Sequence, residues 1–446
     1  MEFVAFLHET VYVFPMKRNI YNQLVAWKKT AERKPLVLKG ARQVGKTYIL
    51  QKFGKGNYED VAYFNFEEDP LLHDFFTGRL VPEKIIQTLS VYREKKIIPE
   101  RTLIIFDEVQ NSPETLTSLK YFCEKAPEYH VTAAGSLLGV KVGQSSPFPV
   151  GKVNFLDLYP MTFAEFLDAA GRSNLRDHLE NASFHPLPEA FHAELIDLLK
   201  TYYFVGGMPE AVGQYIKSQD LALVRRIQQE ILQAYSIDFS KYTTKTEAIR
   251  LAATWASIPA QLARENKKFT YAEIAKNARA REYSESIQWL VDAGLVIKVH
   301  NTHVPKLPLA AYRENIFKLY LLDIGLLGAM INISQRIIVQ GSKLFSEFNG
   351  AFVENYAAQE LVAHGQKDLH YWTSKNQAEV DFIVSHHDQI MPLEVKAGVS
   401  KQKKSLRIYG DKYHPPILSR STLMNFKEDG SIRNYPLYAL WLFLSR

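Results

Sequence analysis

The sequence predicts an α/β protein: a parallel sheet covered by helices, then a helical region, a winged-helix-like module and a second α/β unit. Three observations carry this. Four short apolar runs in the first third read as strands and alternate with helical segments, an order that gives a parallel sheet buried on both faces. Clusters of chemically useful residues follow those runs directly, at Gly40–Thr47, Asp107-Glu108 and Gly135-Ser136, where ligands of such sheets gather. The chain has 446 residues, and a single core stops growing at about 250–300 residues, so more than one domain is required.

Asn19 to Glu32 has helical spacing, with Ile20, Leu24 and Trp27 on one face. Pro35-Leu36-Val37-Leu38 reads as a buried strand and Tyr48 to Phe53 as a helix. Between them lies Gly40-Ala41-Arg42-Gln43-Val44-Gly45-Lys46-Thr47, which fits the phosphate-loop pattern G-x-x-x-x-G-K-[ST]. Gly40 and Gly45 permit backbone angles that a Cβ disfavours, so successive N–H groups can turn toward phosphate oxygens. Lys46 is expected on the β- and γ-phosphates, Thr47 on Mg²⁺, and Tyr48 beside the nucleotide at the start of the helix, whose dipole favours an anion. The expected cofactors are ATP and Mg²⁺.

Val61–Phe66, Thr102–Phe106 and His130–Ala134 read as the next three strands, with a helix over Pro113–Cys123. Asp107, after the third strand, is placed to hold Mg²⁺, and Glu108 to orient the attacking water. Ser136, after the fourth, can reach the γ-phosphate or that water; serine is equally a common helix N-cap.

Composition narrows the classes. Apolar residues make up 46% and charged residues 23%, as in a soluble globular protein. The net charge of +6 is mildly basic and permits a nucleic-acid partner without demanding one. Cys123 is the single cysteine, which excludes an intramolecular disulfide and fits a reducing cytoplasm. No apolar run is long enough to span a membrane. The first residues make a poor signal peptide, and residues 1–16 read as an N-terminal extension before a more ordinary start at Met16-Lys17-Arg18.

The phosphate loop, Ile105-Phe106-Asp107-Glu108-Val109-Gln110, Ala134-Gly135-Ser136 and Leu158-Tyr159-Pro160-Met161-Thr162-Phe163-Ala164-Glu165-Phe166 together resemble the prokaryotic AAA-type ATPases that carry a C-terminal domain of unknown function. Tyr203–Glu210 and Phe317–Leu326 are similar to that family as well. The resemblance implies an ATP-binding core and runs from Met16 through nearly the whole chain. It departs at Gly151-Lys152, where the family usually has Gly-Arg; lysine carries the charge without the planar fork of a guanidinium.

Helical spacing continues from Phe166 to Arg250. Trp255–Ala263, Tyr271–Asn277 and Arg281–Ala293 then read as three short helices, and Gly294–Val299 as a strand, the order of a winged helix. Lys267, Lys268, Lys276, Arg279 and Arg281 gather where a recognition helix would start. Duplex DNA contact and a solvated surface weigh equally there.

In the last part, Glu347–Leu361 reads as an amphipathic helix containing Glu354, and Leu369–Trp372, Glu379–Val384 and Pro392–Lys396 as strands. Residues two apart on a strand share a face, so Glu394 and Lys396 project together and Asp381 on the adjoining strand can reach them. Two carboxylates offer hard oxygens to Mg²⁺. The set Asp381, Glu394, Lys396 and Glu354 resembles the PD-(D/E)xK restriction-endonuclease fold, which implies a metal-dependent nuclease site. His386-His387-Asp388 reads as a polar hairpin turn rather than a metal cluster. Lys401, Lys403, Lys404 and Arg407 form a basic run.

The expected domains are 17–165, an ATPase core; 166–250, a helical lid; 251–330, a winged-helix-like module; and 331–446, a restriction-endonuclease-like unit. The leading expectation is an ATP-hydrolysing protein of the cytoplasm that acts on or with DNA. One alternative is an ATP-regulated metal-dependent nuclease of a defence system. The other is a nucleotide switch that recognises a protein partner and has an inert C-terminal fold. An oligomer is compatible with all three.

Overall fold

The computed structural model describes residues 16–136, 149, 151–181, 184–334, 349–374, 378–398 and 404–444. The extension at residues 1–15 and the lysines Lys401 and Lys403 lie outside them. Strands β1 (Leu36–Lys39), β2 (Asp60–Asn65), β3 (Thr102–Asp107), β4 (His130–Gly135) and β5 (Asn154–Asp157) form one sheet in the order β2-β3-β4-β1-β5. All its pairings are parallel. Along β3, Leu103 and Ile105 enter one core while Ile104 and Phe106 enter the other, so both faces are buried, as a parallel sheet requires. Helices α1 (Ile20–Lys29), α2 (Lys46–Asn57), α3 (Pro82–Tyr92) and α4 (Pro113–Lys125) accompany it. The edge strand β5 is partly exposed and has no apolar run to betray it.

A helical stretch follows: α5 (Phe163–Ala169), α6 (Ser173–Asn181), α7 (Glu189–Val205), α8 (Pro209–Ser218), α9 (Leu221–Tyr242) and α10 (Lys245–Leu262). The helix expected at Trp255–Ala263 is the end of α10, which starts earlier because Thr244 and Glu247 form a capping box. The helix expected at Tyr271–Asn277 shrinks to a 3₁₀ turn at Tyr271–Glu273 with no buried residue; without an apolar face to pack, a longer helix gains nothing. Helix α11 (Ala280–Asp292) is found where expected.

The strand expected after α11 is not a free wing. β6 (Val296–Thr302) and β7 (Arg313–Leu321) form a hairpin, and β6 pairs in parallel with β8 (His370–Ser374) through His300 and His370. The hairpin thereby joins β9 (Ala378–His386), β10 (Gln389–Val395), β11 (Leu418–Thr422), β12 (Lys427–Asp429) and β13 (Ile432–Pro436) in an eight-stranded sheet, β12-β13-β11-β10-β9-β8-β6-β7. A division at residue 330 therefore falls within the segment that feeds one continuous sheet. His387 and Asp388 are the hairpin turn between β9 and β10, both at positive φ. The buried strand expected at Tyr435–Trp441 ends at Pro436 and continues as buried 3₁₀ turns over Leu437–Leu444.

Helix α13 (Asn349–Ala363) differs most from expectation. It is not amphipathic: residues 351 to 362 are all buried. Its polar side chains serve neighbouring backbone instead of water. Asn355 accepts from the Leu321 N–H at 2.7 Å and donates to the Leu321 carbonyl at 3.1 Å. Gln359 accepts from the Ile324 N–H and donates to the Tyr202 hydroxyl. Glu360 accepts from the Phe163 N–H at 2.9 Å, and burial raises its carboxyl to about 8, so it is largely neutral at pH 7. Between them Asp323 caps α12 (Ile324–Met330) and accepts from the N–H groups of Leu326 and Gly207. A Cβ on Gly206 would lie 2.3 Å from Asp323 Oδ1, so only glycine allows that approach. These bonds tie α5, α7, α12 and α13 into one core that adjoins both sheets.

Candidate nucleotide site

The carboxyl edge of the first sheet gathers Lys46, Thr47, Asp107, Glu108 and Ser136. β4 lies between β1 and β3, which sets Ser136 between the phosphate loop and the Asp107-Glu108 pair. The loop has φ +154° at Gly40, +65° at Gln43 and +93° at Gly45. At Gly40 a Cβ would sit 2.3 Å from the Leu158 carbonyl oxygen, so the loop's start is closed to any larger residue. Gly45 N-caps the twelve-residue α2, whose free N–H groups and dipole face the cradle.

Lys46 is buried, and its ammonium donates to the carbonyls of Gly40 at 3.0 Å and Ala41 at 2.8 Å. Burial lowers it to about 8, opposed by the carboxylates of Glu108 and Asp107. Thr47 donates to Asp107 Oδ2 at 2.6 Å, and the Tyr63 hydroxyl donates to the same oxygen at 3.0 Å. Glu108 stands at φ +52°, a left-handed conformation that is costly for a non-glycine residue and recurs at functional sites. Its N–H donates to Asp107 Oδ1 at 3.0 Å and its carboxylate accepts from Gln110. Burial raises the Glu108 carboxyl, while Gln110 and Lys46 hold it back. The buried Ser136 hydroxyl has no hydrogen-bond partner among the described residues. A buried polar group without a partner is costly, and a phosphate oxygen or water would satisfy it. A cavity of about 500 Å³ opens beside Gly40, Ala41 and Ser136 and is walled on its far side by Asp292 and Lys298. Tyr48, on the first turn of α2, is half-buried beside the Met16 backbone.

The structure adds partners of the phosphate loop that the sequence did not single out. Arg18 donates to the Val44 carbonyl at 3.0 Å and pairs with the buried Glu165 at 3.1 Å, bracing the loop from behind. Arg42 pairs with Asp238 of α9 at 2.6 Å and with Glu67 at 3.3 Å, while the Tyr235 hydroxyl donates to the Arg42 carbonyl at 2.9 Å. Lys241 also reaches Glu67, at 2.7 Å. The basic residue just before α1 was the one available signal; Asp238 and Tyr235 belong to no local motif. Lys152, at the position where the resembling family has arginine, pairs with Glu124 at 3.0 Å. It precedes β5, whose first residue Asn154 meets Leu36 at the amino end of β1. That is the edge opposite the phosphate loop of the same chain.

The second constellation is assembled only in part. Val395 N–H donates to Asp381 Oδ2 at 2.7 Å, and the Lys396 ammonium lies 3.4 Å from Asp381 and 3.7 Å from Glu394. Burial raises both carboxyls against the pull of Lys396, and Asp381 in turn raises Lys396. Glu394 Oε2 is buried without a partner among the described residues. Glu354 does not join them as a free ligand. It accepts from Lys267 at 2.8 Å, Lys318 at 3.2 Å and the Tyr320 hydroxyl at 2.7 Å. Burial would raise Glu354, but the ammoniums of Lys318 and Lys267 hold it down at about 2. Lys267 is thereby turned inward, whereas Lys276, Arg279 and Arg281 remain exposed at the start of α11. Among the described residues no group of three or more His, Cys, Asp and Glu is placed to hold a metal ion. No described helix is long and apolar enough to cross a membrane.

Three family models match separate parts of the chain: an AAA domain over residues 32–167, a domain of unknown function (DUF8612) over 196–337 and another (DUF4143) over 349–440. No curated protein matches. Among solved structures, the chain is similar to the Walker-type ATPase PABY2304 of Pyrococcus abyssi at 14% identity, covering 71% of this chain and 96% of that one, with a TM-score of 0.43. It is also similar to the ORC2 protein of Aeropyrum pernix, at 16% identity, 75% and 98% coverage and a TM-score of 0.39. The RuvB Holliday junction branch migration motor of Thermotoga maritima follows at 16% identity, 62% and 88% coverage and a TM-score of 0.30. Residues 32–167, which match the AAA domain, hold the parallel sheet and phosphate loop of a P-loop fold.

Proposed function

We propose that the chain binds ATP with magnesium and hydrolyses it, and that duplex DNA is the partner on which it acts. The observation that carries the first part is the convergence of Thr47 and Asp107 at 2.6 Å beside Lys46 and Glu108. Their hard oxygens fit magnesium, with Thr47 and Asp107 as the residues that would hold it. When bound it neutralises charge on the β- and γ-phosphates. Lys46 exchanges its two loop carbonyls for phosphate oxygens, and Ser136 gains the acceptor it lacks. Glu108 orients the water. The water oxygen bonds to the γ-phosphorus as the bond from that phosphorus to the β–γ bridging oxygen breaks, and ADP keeps the bonding pair. One proton of the water passes by way of Glu108 to solvent, and the other stays on the phosphate.

The exposed Lys276, Arg279 and Arg281 support the DNA assignment. Turnover with and without duplex, in wild type and in Lys46→Ala, tests the reading. ATP binding and turnover are lost in Lys46→Ala, and duplex stimulates the wild type with a strong salt dependence. Unchanged hydrolysis in Lys46→Ala refutes the site, and salt-independent turnover indifferent to DNA removes the partner.

A second reading, a metal-dependent nuclease, is favoured by the unpartnered Glu394 Oε2 beside Asp381 and Lys396. The saturation of Glu354 weighs against it. Plasmid cleavage in Mg²⁺ or Mn²⁺ that disappears in Glu394→Ala would support it; cleavage that survives this change would place the activity elsewhere.

A further inference from the structure

We infer that Arg42 is the residue that neutralises the γ-phosphate in the transition state, and that Asp238 of α9 competes for it, so that α9 reports the nucleotide state. This rests on the ATPase reading above. Arg42 belongs to the phosphate loop itself, and its backbone is held from α9: its carbonyl accepts from the Tyr235 hydroxyl at 2.9 Å. Its guanidinium spans from Asp238 to Glu67. Glu67 lies two residues beyond Asn65, the register partner of Asp107. The guanidinium therefore sits over the carboxyl edge, among the loop, the end of β2 and the end of β3. Its charge is felt at Lys46, which burial lowers, and at Glu108, which burial raises, as the smallest of the contributions at each. Lys152, at the position where the resembling family has arginine, stands at the opposite edge of the chain's own sheet.

The exchange has an electrostatic direction. Asp238 is buried, and burial raises its carboxyl against the pull of Arg42. It offers a single negative charge, whereas the γ-phosphate offers more, and two of its oxygens can take the guanidinium fork. Glu67 keeps Lys241 when Arg42 leaves. During hydrolysis the charge on the γ-phosphoryl oxygens is what the guanidinium stabilises, while the bond changes are those given above. The far half of α9 is tied to the buried hub: Gln228 donates to the carbonyls of Phe204 and Val205 at 2.8 and 2.9 Å, and Arg225 to that of Gly325 at 3.3 Å. Loss of the Arg42–Asp238 bond is thus felt next to Gly206-Gly207 and Asp323, at the start of the second sheet's support.

The test measures turnover and ADP affinity with and without aluminium fluoride, which mimics the transferring phosphoryl group. In Arg42→Ala, turnover falls at least ~100-fold, ADP affinity alone stays within about threefold, and the tightening of ADP by aluminium fluoride is lost. Arg42→Lys does not restore turnover, because the fork is missing. Asp238→Asn, which removes the competitor, lowers the ATP concentration for half-maximal turnover at least ~3-fold. Wild-type-like turnover in Arg42→Ala or Arg42→Lys, or an unchanged half-maximal concentration in Asp238→Asn, overturns the inference. If Arg42→Ala does not fold, Arg42→Lys and Asp238→Asn decide. A wild type that binds no ADP defeats the ATPase reading itself; a wild type that binds and hydrolyses while Arg42→Ala matches it defeats this inference alone.

Discussion

Glu108→Gln binds ATP with magnesium as tightly as the wild type and turns it over about a thousandfold more slowly. The amide keeps the shape of the side chain, and Asp107, Thr47 and Lys46 are untouched, so the phosphates and metal keep their ligands. What disappears is the carboxylate that accepts a proton from water. Two features point to this role. The backbone at Glu108 is held at φ +52°, which turns the side chain out of line with β3. Burial raises its carboxyl, which brings it nearer the range where a general base works at neutral pH. Single-turnover phosphate release with ATP binding measured in parallel checks the expectation. Equal losses of binding and turnover would mean that Glu108 serves structure or metal instead.

Asp323→Ala destabilises the folded chain by about 3 kcal/mol at pH 7, because two buried backbone N–H groups, of Gly207 and Leu326, lose their acceptor. The penalty depends on pH. Burial raises Asp323 from 3.8 to about 6 in the fold, opposed by its backbone donors. A raised folded value means that the native state takes up a proton before the unfolded state does. The wild type therefore gains stability from this group as pH falls from about 6 toward 4, and loses that gain as pH rises through 6. The alanine variant has no such term. Its penalty should thus grow by about 1.4 kcal/mol between pH 7 and pH 5. Urea unfolding of both proteins at the two pH values checks this; a penalty that shrinks at pH 5 would mean that Asp323 is stabilised as the anion.

The candidate nucleotide site was legible because its requirements are local. Gly40 and Gly45 are demanded by backbone geometry within one loop, and Asp107-Glu108 by the end of one apolar strand. The buried hub was not legible in the same way. Asp323 and Gly207 are far apart in the chain, and the partners of Asn355, Gln359 and Glu360 lie on other elements. A polar residue in a helix looks solvent-facing until the elements around it are placed, which is why α13 reads as amphipathic. The same ambiguity hid the partners of Glu354: an acid on a helix suits a metal, and the lysines that pair with it sit on two other segments, Lys267 and Lys318. β6 follows α11 as a wing strand would, and only its non-local pairing with β8 commits it to the second sheet. The pairing of Asp381, Glu394 and Lys396 followed from strand alternation and a short hairpin, both readable locally.

The most direct test of the central claim is phosphate release from ATP by the full chain, in magnesium and in EDTA, with Lys46→Ala alongside. The geometry around Lys46, Thr47 and Asp107 predicts release that requires magnesium and is absent in Lys46→Ala. Release that persists in EDTA or in the variant would contradict it.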